Sequence, residues 1–285
     1  MTSGSETETT PAPQGAGVDV YLAGLGLRPS HITPETSRAL ARCRRIHHIS
    51  YVPGTDELLR QYCDDVVDLR SLYESGSDRL ETYKAQATAV LDSAIEQGPV
   101  GLVVYGHPLI LAMPSMFVLR LGSSLGLRVR TLPAVSALDC LLADLGIDPT
   151  VTGMQMHEAT DLLLYQRPIV PGCATVLWQV GSLATRLHVT VGHSRPERLM
   201  PLRDYLLRFY PPDHEAVSVS TAVTEDEPPE LLALRIGELP EHSARLHLGA
   251  TLYIPPVKSA GPVDEALAAK LTSTDHLRSI VETTG

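Results

Sequence analysis

Two short turns carry polar groups in places suited to chemistry: Tyr105-Gly106-His107-Pro108 and Pro133-Ala134-Val135-Ser136. The first follows a short apolar run, Gly101 to Tyr105, that reads as a buried strand, and the second follows the strand Arg128 to Leu132, so each stands at a strand's carboxyl end, where open α/β sheets bind ligands. Ser136 in such a position either hydrogen-bonds a bound group or caps the helix that follows. A third stretch, Leu72 to Tyr83, contains Tyr73, Arg79 and Tyr83. Arg79 and Tyr83 are spaced to share one helix face, and Tyr73 precedes a turn that could fold it back toward them. Two readings stand side by side here: one polar centre, or an Arg79–carboxylate pair with tyrosines packed as amphipathic wedges.

Other chemistries lack their residues. The eleven histidines include no H-E-x-x-H, and His47 and His48 adjoin in a strand, so they point to opposite faces and cannot chelate one ion together. There is no G-x-S-x-G elbow and no phosphate-cradling G-x-x-x-x-G-K-[ST]. Gly24-Leu25-Gly26 has Pro29 where a dinucleotide fingerprint needs its third glycine, so a tight turn after a strand is the expectation. Metal catalysis and serine hydrolysis are not expected, and no metal ligands are assigned.

The 285 residues allow two modest domains, and 44% hydrophobic with 20% charged content describes an ordinary globular chain. A formal net charge of −10 argues against a nucleic-acid partner. Cys43, Cys63, Cys140 and Cys173 form no C-x-x-C pair and read as reduced thiols. The most apolar segment, 100–121, is interrupted by His107, Pro108 and Pro114, so no membrane span is expected. The amino terminus has no basic-then-apolar signal pattern, and the cytoplasm is the expected location.

These groups need a frame. Residues 1–17 read as a disordered leader. Strands are expected at Val18 to Leu22, Arg45 to Tyr51, Gly101 to Tyr105 and Arg128 to Leu132. Helices are expected from Thr33-Pro34 to about Cys43, and over Leu80 to Gln97, Ser115 to Leu125 and Ala137 to Leu145. Strict alternation implies an N-terminal α/β domain, 18–150, with a mainly parallel sheet covered on both faces. Beyond it the chain reads as a mixed α+β domain, 151–256, and a tail, 257–285. Helices are expected there at Asp161 to Tyr165, Pro201 to Tyr210 and Val263 to Leu271. The strands expected are Thr175 to Gly181, His188 to Val191, Ala216 to Ala222, Glu230 to Leu239 and Ala250 to Ile254.

The order of these pieces, with Tyr73…Arg79…Tyr83, Tyr105-Gly-His-Pro108, Ser136-Ala-x-Asp139, Glu158-Ala-Thr-Asp161, Trp178-Gln-Val-Gly181 and Tyr253-Ile-Pro-Pro256, resembles the tetrapyrrole (corrin/porphyrin) methylase superfamily. Corrin-directed members usually have Gly-Asp-Pro where this chain has Gly106-His107-Pro108, and the variant resembles the borosin-type peptide backbone N-methyltransferases. The resemblance runs over about residues 18–264. It implies a two-domain tetrapyrrole-methylase-like fold and S-adenosylmethionine as cofactor, with S-adenosylhomocysteine as product. Tyr105, His107, Ile110, Ser136, Gln179, Ala222 and Thr251 become the implied cofactor contacts, several through backbone groups. Tyr73, Arg79 and Tyr83 become the implied catalytic set, Tyr83 being made more acidic by Arg79. Ala134 departs from the family's usual Gly, so the turn must accept a Cβ, and Leu80 replaces a residue often aromatic in fungal members.

Those members continue into a helical extension and an apolar core peptide that the enzyme methylates on itself. Here Pro262-Val-Asp264 resembles the start of such an extension, but no apolar core segment follows up to Gly285. The expectation is therefore a separate ribosomally made precursor peptide as substrate. The expected assembly is a homodimer, forming a heteromeric complex such as a heterotetramer with the precursor. The competing expectations are a tetrapyrrole carbon methyltransferase and a non-catalytic cofactor- or peptide-binding partner.

Overall fold

The computed structural model describes residues 17–188, 195–247, 249–257 and 264–282. Short strands build the first sheet. Val20–Gly24 (β1) leads through Pro34–Leu40 (α1) to Arg45–Ile49 (β2), then Thr55–Arg60 (α2), Val66–Asp68 (β3) and Arg79–Gln97 (α3). Val100–Val104 (β4), Met113–Ser124 (α4), Val129–Thr131 (β5) and Ala137–Leu145 (α5) complete this half. The five strands lie in the order β3-β2-β4-β1-β5, and every pairing is parallel. β1 and β4 are buried along their whole length, as strands covered on both faces must be. The half thus has one more helix and strand, α2 and β3, than the alternation predicts; both are too short to show a period.

From β1 the chain crosses to β2, and from β4 it crosses the other way to β5. The crevice between the carboxyl ends of β1 and β4 is therefore a topological switch point. Thr33 caps α1 by accepting from the Thr36 amide at 3.1 Å, with Pro34 at the first helical position, as the sequence predicts.

The second sheet has the order β6-β7-β10-β8-β9. Its elements are Met154–Glu158 (β6), Ala159–Leu164 (α6), Ala174–Trp178 (β7), Pro196–Leu206 (α7), Glu215–Ser220 (β8), Glu230–Arg235 (β9) and Thr251–Ile254 (β10). β6 runs parallel to β7 and the other neighbours are antiparallel. β6 is a polar, half-exposed edge strand with no sequence signal of its own, and pairing with β7 makes it. α7 begins at Pro196, five residues before the predicted Pro201. Pro201 is tolerated mid-helix because Leu199, Leu202, Tyr205 and Leu206 bury one face in the core. β9 stops at Arg235, where a 3-10 turn over Ile236–His242 replaces the predicted continuation. His188 lies outside any strand, and the rest of the strand expected there falls outside the described residues. The carboxyl-terminal segment holds two short helices, Glu265–Ala268 (α8) and Thr274–Ile280 (α9), instead of one.

α5 joins the halves. Its Leu141, fully buried, packs with Val176 and Trp178 of β7 and Val219 of β8. Burying a leucine side chain contributes roughly 1.5–3 kcal/mol, so this helix holds the second sheet against the edge where the first sheet's strands end.

His47 and His48 do point to opposite faces: His47 Nε2 meets Ser93 Oγ on α3 at 2.9 Å, and His48 Nε2 meets Asp56 Oδ1 on α2 at 3.4 Å. Burial, with the Arg45 charge adding to it, pushes the His47 imidazole down to about 4. An unfolded His47 takes a proton near its ordinary value of about 6.5 while the folded one does not. Its contribution to stability is therefore full above that value and lost as pH falls toward 4, on the order of 3 kcal/mol across the window. Urea unfolding is expected to give a markedly lower midpoint at pH 5 than at pH 7.5. His47→Gln is expected to flatten part of that difference.

Candidate active site

The carboxyl ends of the first sheet's strands face one end of the inner strands of the second across a cleft of about 740 Å³. From the first sheet come Ile49 at the end of β2 and Tyr51 after it, Tyr73 after β3, and Tyr105, Gly106 and His107 after β4. From the second come Trp178 and Gln179 at the end of β7, Ser220 at the end of β8 and Thr251 at the start of β10. These last three strand ends coincide because β10 runs antiparallel to both β7 and β8.

The β4 turn is held by backbone. The Gly106 amide donates to the Gly26 carbonyl at 2.9 Å, and both glycines have positive φ, 73° and 69°. A Cβ on Gly24 would run into the Gly106 carbonyl and come within 2.7 Å of the Ala134 Cβ. The methyl that replaces the family's usual glycine at 134 is accepted because Gly24 has nothing opposite it. His107 accepts from the Leu109 amide through Nδ1 at 3.1 Å, and its carbonyl accepts from the Ile110 amide at 3.1 Å.

Ser136 turns out to be a cap. Its Oγ accepts from the Leu138 and Asp139 amides at 3.2 and 3.3 Å and donates to Asp139 Oδ2 at 2.6 Å, while its amide donates to the same carboxylate. The side chain is spent on α5, which leaves backbone groups to meet a ligand. Ser136→Ala is expected to lower stability by about 1 kcal/mol in chemical denaturation, with ligand affinity little changed. Gln179 is in the left-handed region at φ 57°, a strained conformation for a residue with a Cβ. Ala222 is not on the cleft wall; it lines a shallow neighbouring hollow that shares Ser220 and Thr221 with the cleft.

The Tyr73, Arg79 and Tyr83 side chains do come together on the same wall. Asp78 caps α3, and Arg79 is its first residue. The rings of Tyr73 and Tyr83 meet edge to face at 6.3 Å. Among the described residues Arg79 pairs with no acid. Its Nη2 donates to the Thr185 carbonyl at 2.7 Å and its Nε to the Arg186 carbonyl at 3.3 Å. Residues 185–188 are laid along the start of α3: Gly76 donates to the His188 carbonyl, His188 to the Ser77 carbonyl and the Arg79 amide to the Arg186 carbonyl, all at 2.8–2.9 Å. Arg186 adds an ion pair with Asp78 at 2.9 Å. The sequence carries no signal of this strap, which brings His188 and Leu187 to the cleft.

The expectation of an acidified Tyr83 is corrected here. Burial raises the Tyr83 phenol, and the Arg79 charge and a hydrogen bond from Tyr73 offset this only in part. Burial raises Tyr73 as well, the neighbouring Tyr83 adding to it. Among the described residues the cleft wall has no carboxylate. A metal fares no better: His48, Asp56 and Asp68 bring one ligand atom each within 4.8 Å, but both Asp68 oxygens are taken by Arg70.

Three known proteins place this architecture. The methyltransferase/ribosomally synthesized cyclic peptide gymnopeptides precursor of Gymnopus fusipes is 32% identical over 244 residues, 85% of this chain and 58% of that one. A methyltransferase/ribosomally synthesized type III borosin cyclic peptide precursor of Anomoporia bombycina is 33% identical over 241 residues, 83% of this chain and 28% of that one. The chain thus spans well under two thirds of the length of either relative. The crystal structure of uroporphyrin-III C-methyltransferase from Thermus thermophilus complexed with S-adenosylhomocysteine superposes with a TM-score of 0.57 at 19% identity, covering 84% of this chain and 97% of that one. That likeness concerns the fold. The family model for Tetrapyrrole (Corrin/Porphyrin) Methylases matches residues 19–239, from β1 into the last turn before β10. By that match, which takes in the first sheet and the second sheet except β10, the chain belongs to the tetrapyrrole methylase family.

Proposed function

We propose that the chain is an S-adenosylmethionine-dependent methyltransferase that N-methylates backbone amides of a peptide supplied on a separate precursor. The observation that carries this reading is the meeting of Tyr73, Arg79 and Tyr83 with the Tyr105–His107 turn on one cleft. Both relatives are methyltransferases joined to ribosomal cyclic peptide precursors, which supports a peptide substrate. The S-adenosylhomocysteine in the Thermus thermophilus neighbour supports the cofactor. The cleft fits such a group: its volume suits a cofactor with a peptide segment. The bare face of Gly24 and the left-handed Gly106 keep the β4 turn tucked close to β1. Tyr105, His107, Ile110, Ser136, Gln179 and Thr251 would hold it, with Ala222 at the margin.

When bound, the cofactor supplies a methyl group on a sulfonium sulfur, an electrophile that needs an in-line nucleophile. An amide nitrogen is a poor one because its lone pair is delocalised into the carbonyl. Loosening its proton drives negative charge onto the carbonyl oxygen, so the protein must supply a cation or donor there and a proton acceptor at nitrogen. Arg79 supplies the cation, always charged and anchored by two carbonyls. Tyr83 meets the N–H. A phenol raised by burial carries the proton in transit, giving up its own as it takes another. Tyr73, packed edge-on against Tyr83, orients the peptide.

The test is to incubate the purified protein with cofactor and peptides rich in apolar β-branched residues and to follow intact mass. Single-methyl increments on the peptide, located at backbone nitrogen by fragmentation, are expected. Methylation of a tetrapyrrole instead, or none of any substrate, would reject the reading. Increments on the protein itself with no peptide added would reject the separate precursor alone. The working unit is a homodimer, and a monomer mass in gel filtration would count against it.

A further inference from the structure

The cleft contains chemistry that the three implied catalytic residues do not use. A proton has to leave the reaction, and among the described residues no carboxylate lines the wall to take it. Burial is the leading cause that raises the phenols of Tyr51, Tyr73, Tyr83 and Tyr105, so each is a protonated donor near neutral pH. The two guanidiniums, Arg79 and Arg198, are cations already. Among the described residues three histidines remain on the wall: His107, His188 and His247. His107 Nδ1 is engaged by the Leu109 amide at 3.1 Å, and His247 Nε2 lies 3.2 Å from Ser220 Oγ at the other side, on the second sheet. His188 alone of the three stands within the Tyr73–Arg79–Tyr83 group. Its ring lies over that of Tyr73, centroids 4.6 Å apart and planes 31° apart.

We propose that His188 is a further catalytic residue, whose neutral imidazole is the final acceptor of the proton lost by the peptide nitrogen as it is methylated. The proposal rests on the peptide reading above. The N–C bond to the methyl forms and the C–S bond breaks, its electron pair returning to sulfur to give the neutral thioether. The amide proton passes by way of the Tyr83 hydroxyl or water to a ring nitrogen of His188. One positive charge is thereby moved from the sulfonium to the imidazolium, and the products are an N-methyl amide and S-adenosylhomocysteine.

The geometry suits the task. Backbone hydrogen bonds to Gly76 and Ser77 fix the His188 main chain on both sides, at 2.9 and 2.8 Å, so the ring's position is set by the strap and not by a loose loop. Burial, and the Arg79 charge after it, lower the His188 pKa, which keeps the ring uncharged at neutral pH. Among the described residues the groups around it are Tyr73, on its ring, Tyr83, edge-on to Tyr73, and Arg79 with the Asp78–Arg186 pair along the strap. Arg198 occupies the same cleft wall.

The test uses the full chain with cofactor and peptide, in single turnover, across pH 5 to 9. Wild-type rate is expected to fall on the acid side with an apparent pKa at or below about 6.5. His188→Phe, which keeps an aromatic ring against Tyr73, is expected to lose about a hundredfold in rate and the acid limb with it, while cofactor affinity in a direct titration is unchanged. His188→Ala is expected to regain rate with added imidazole. The ring-proton NMR signal absent from His188→Phe is expected to titrate below the ordinary histidine value in the resting protein. A His188→Phe enzyme with wild-type rate and pH profile would overturn the proposal. So would a slowed one that keeps the acid limb, a His188→Ala enzyme indifferent to imidazole, or a resting signal titrating above pH 7. If wild-type protein methylates no peptide, the function reading itself falls; with an active wild type, these failures sink the His188 assignment alone.

Discussion

Arg79→Lys and Tyr83→Phe are each expected to reduce single-turnover methylation by about a hundredfold or more while leaving cofactor affinity nearly intact. The reasons differ. In Arg79→Lys a charge remains, but the ammonium's donors all radiate from one nitrogen and do not reproduce the planar fork that spans the Thr185 and Arg186 carbonyls while presenting a donor to the substrate oxygen. In Tyr83→Phe the ring still packs against Tyr73 and only the hydroxyl in the proton's path is removed. Because both serve one charge-separating step, the double variant is expected to lose far less than the product of the two factors. A stability change of about 1 kcal/mol in Arg79→Lys, from loosening the strap, is expected from the lost hydrogen bond. Near-normal methylation by both single variants, with cofactor still bound, would remove this pair from the mechanism.

Gly24→Ala is expected to damage both the fold and the site. The added Cβ would overlap the Gly106 carbonyl and press on the Ala134 Cβ at 2.7 Å. Neither is the end of a flexible side chain, so the turn after β4 must move away from β1. Overpacking of this kind costs about 1–3 kcal/mol. The displaced turn is the one that carries Tyr105 and His107, and a loss of cofactor affinity of about tenfold or more is expected from even a small misplacement. Ala134→Gly in the same chain is expected to restore part of the stability, since it removes one of the two clashes. Gly172→Ala, where a Cβ would meet nothing within 4 Å, is the neutral control. Calorimetric titration with the cofactor and urea unfolding of the four proteins would check each step. Equal affinity in Gly24→Ala and wild type would mean that the turn does not shape the site.

Much of this was legible in the chain itself, where the cause is local. α5 begins and ends where its capping serine and its apolar spacing place it, because the Ser136–Asp139 box lies within four consecutive residues. Thr33 and Pro34 start α1 for the same kind of reason. β4 announces itself as an unbroken apolar run because both of its faces are covered, and β1, legible from the alternation over Val18 to Leu22, is buried along its whole length as well. α2, β3 and β6 did not, being short or polar and held by neighbours distant in sequence. Ala222, carried over by family resemblance, fell outside the cleft wall.

What the sequence determined by itself, then, was the family, the local elements and the residue types gathered at strand ends. Those follow from spacing, caps and burial patterns that act over a few residues. Only the tertiary structure decided that Arg79 would be anchored by carbonyls 106 and 107 residues further on and not by a carboxylate. It alone laid His188 over Tyr73 and turned Tyr83 toward a weaker acid instead of a stronger one. The physical reason is common to all three. A side chain's partners and its proton affinity depend on what is packed around it, and for Arg79 and Tyr73 part of that packing comes from the opposite half of the molecule.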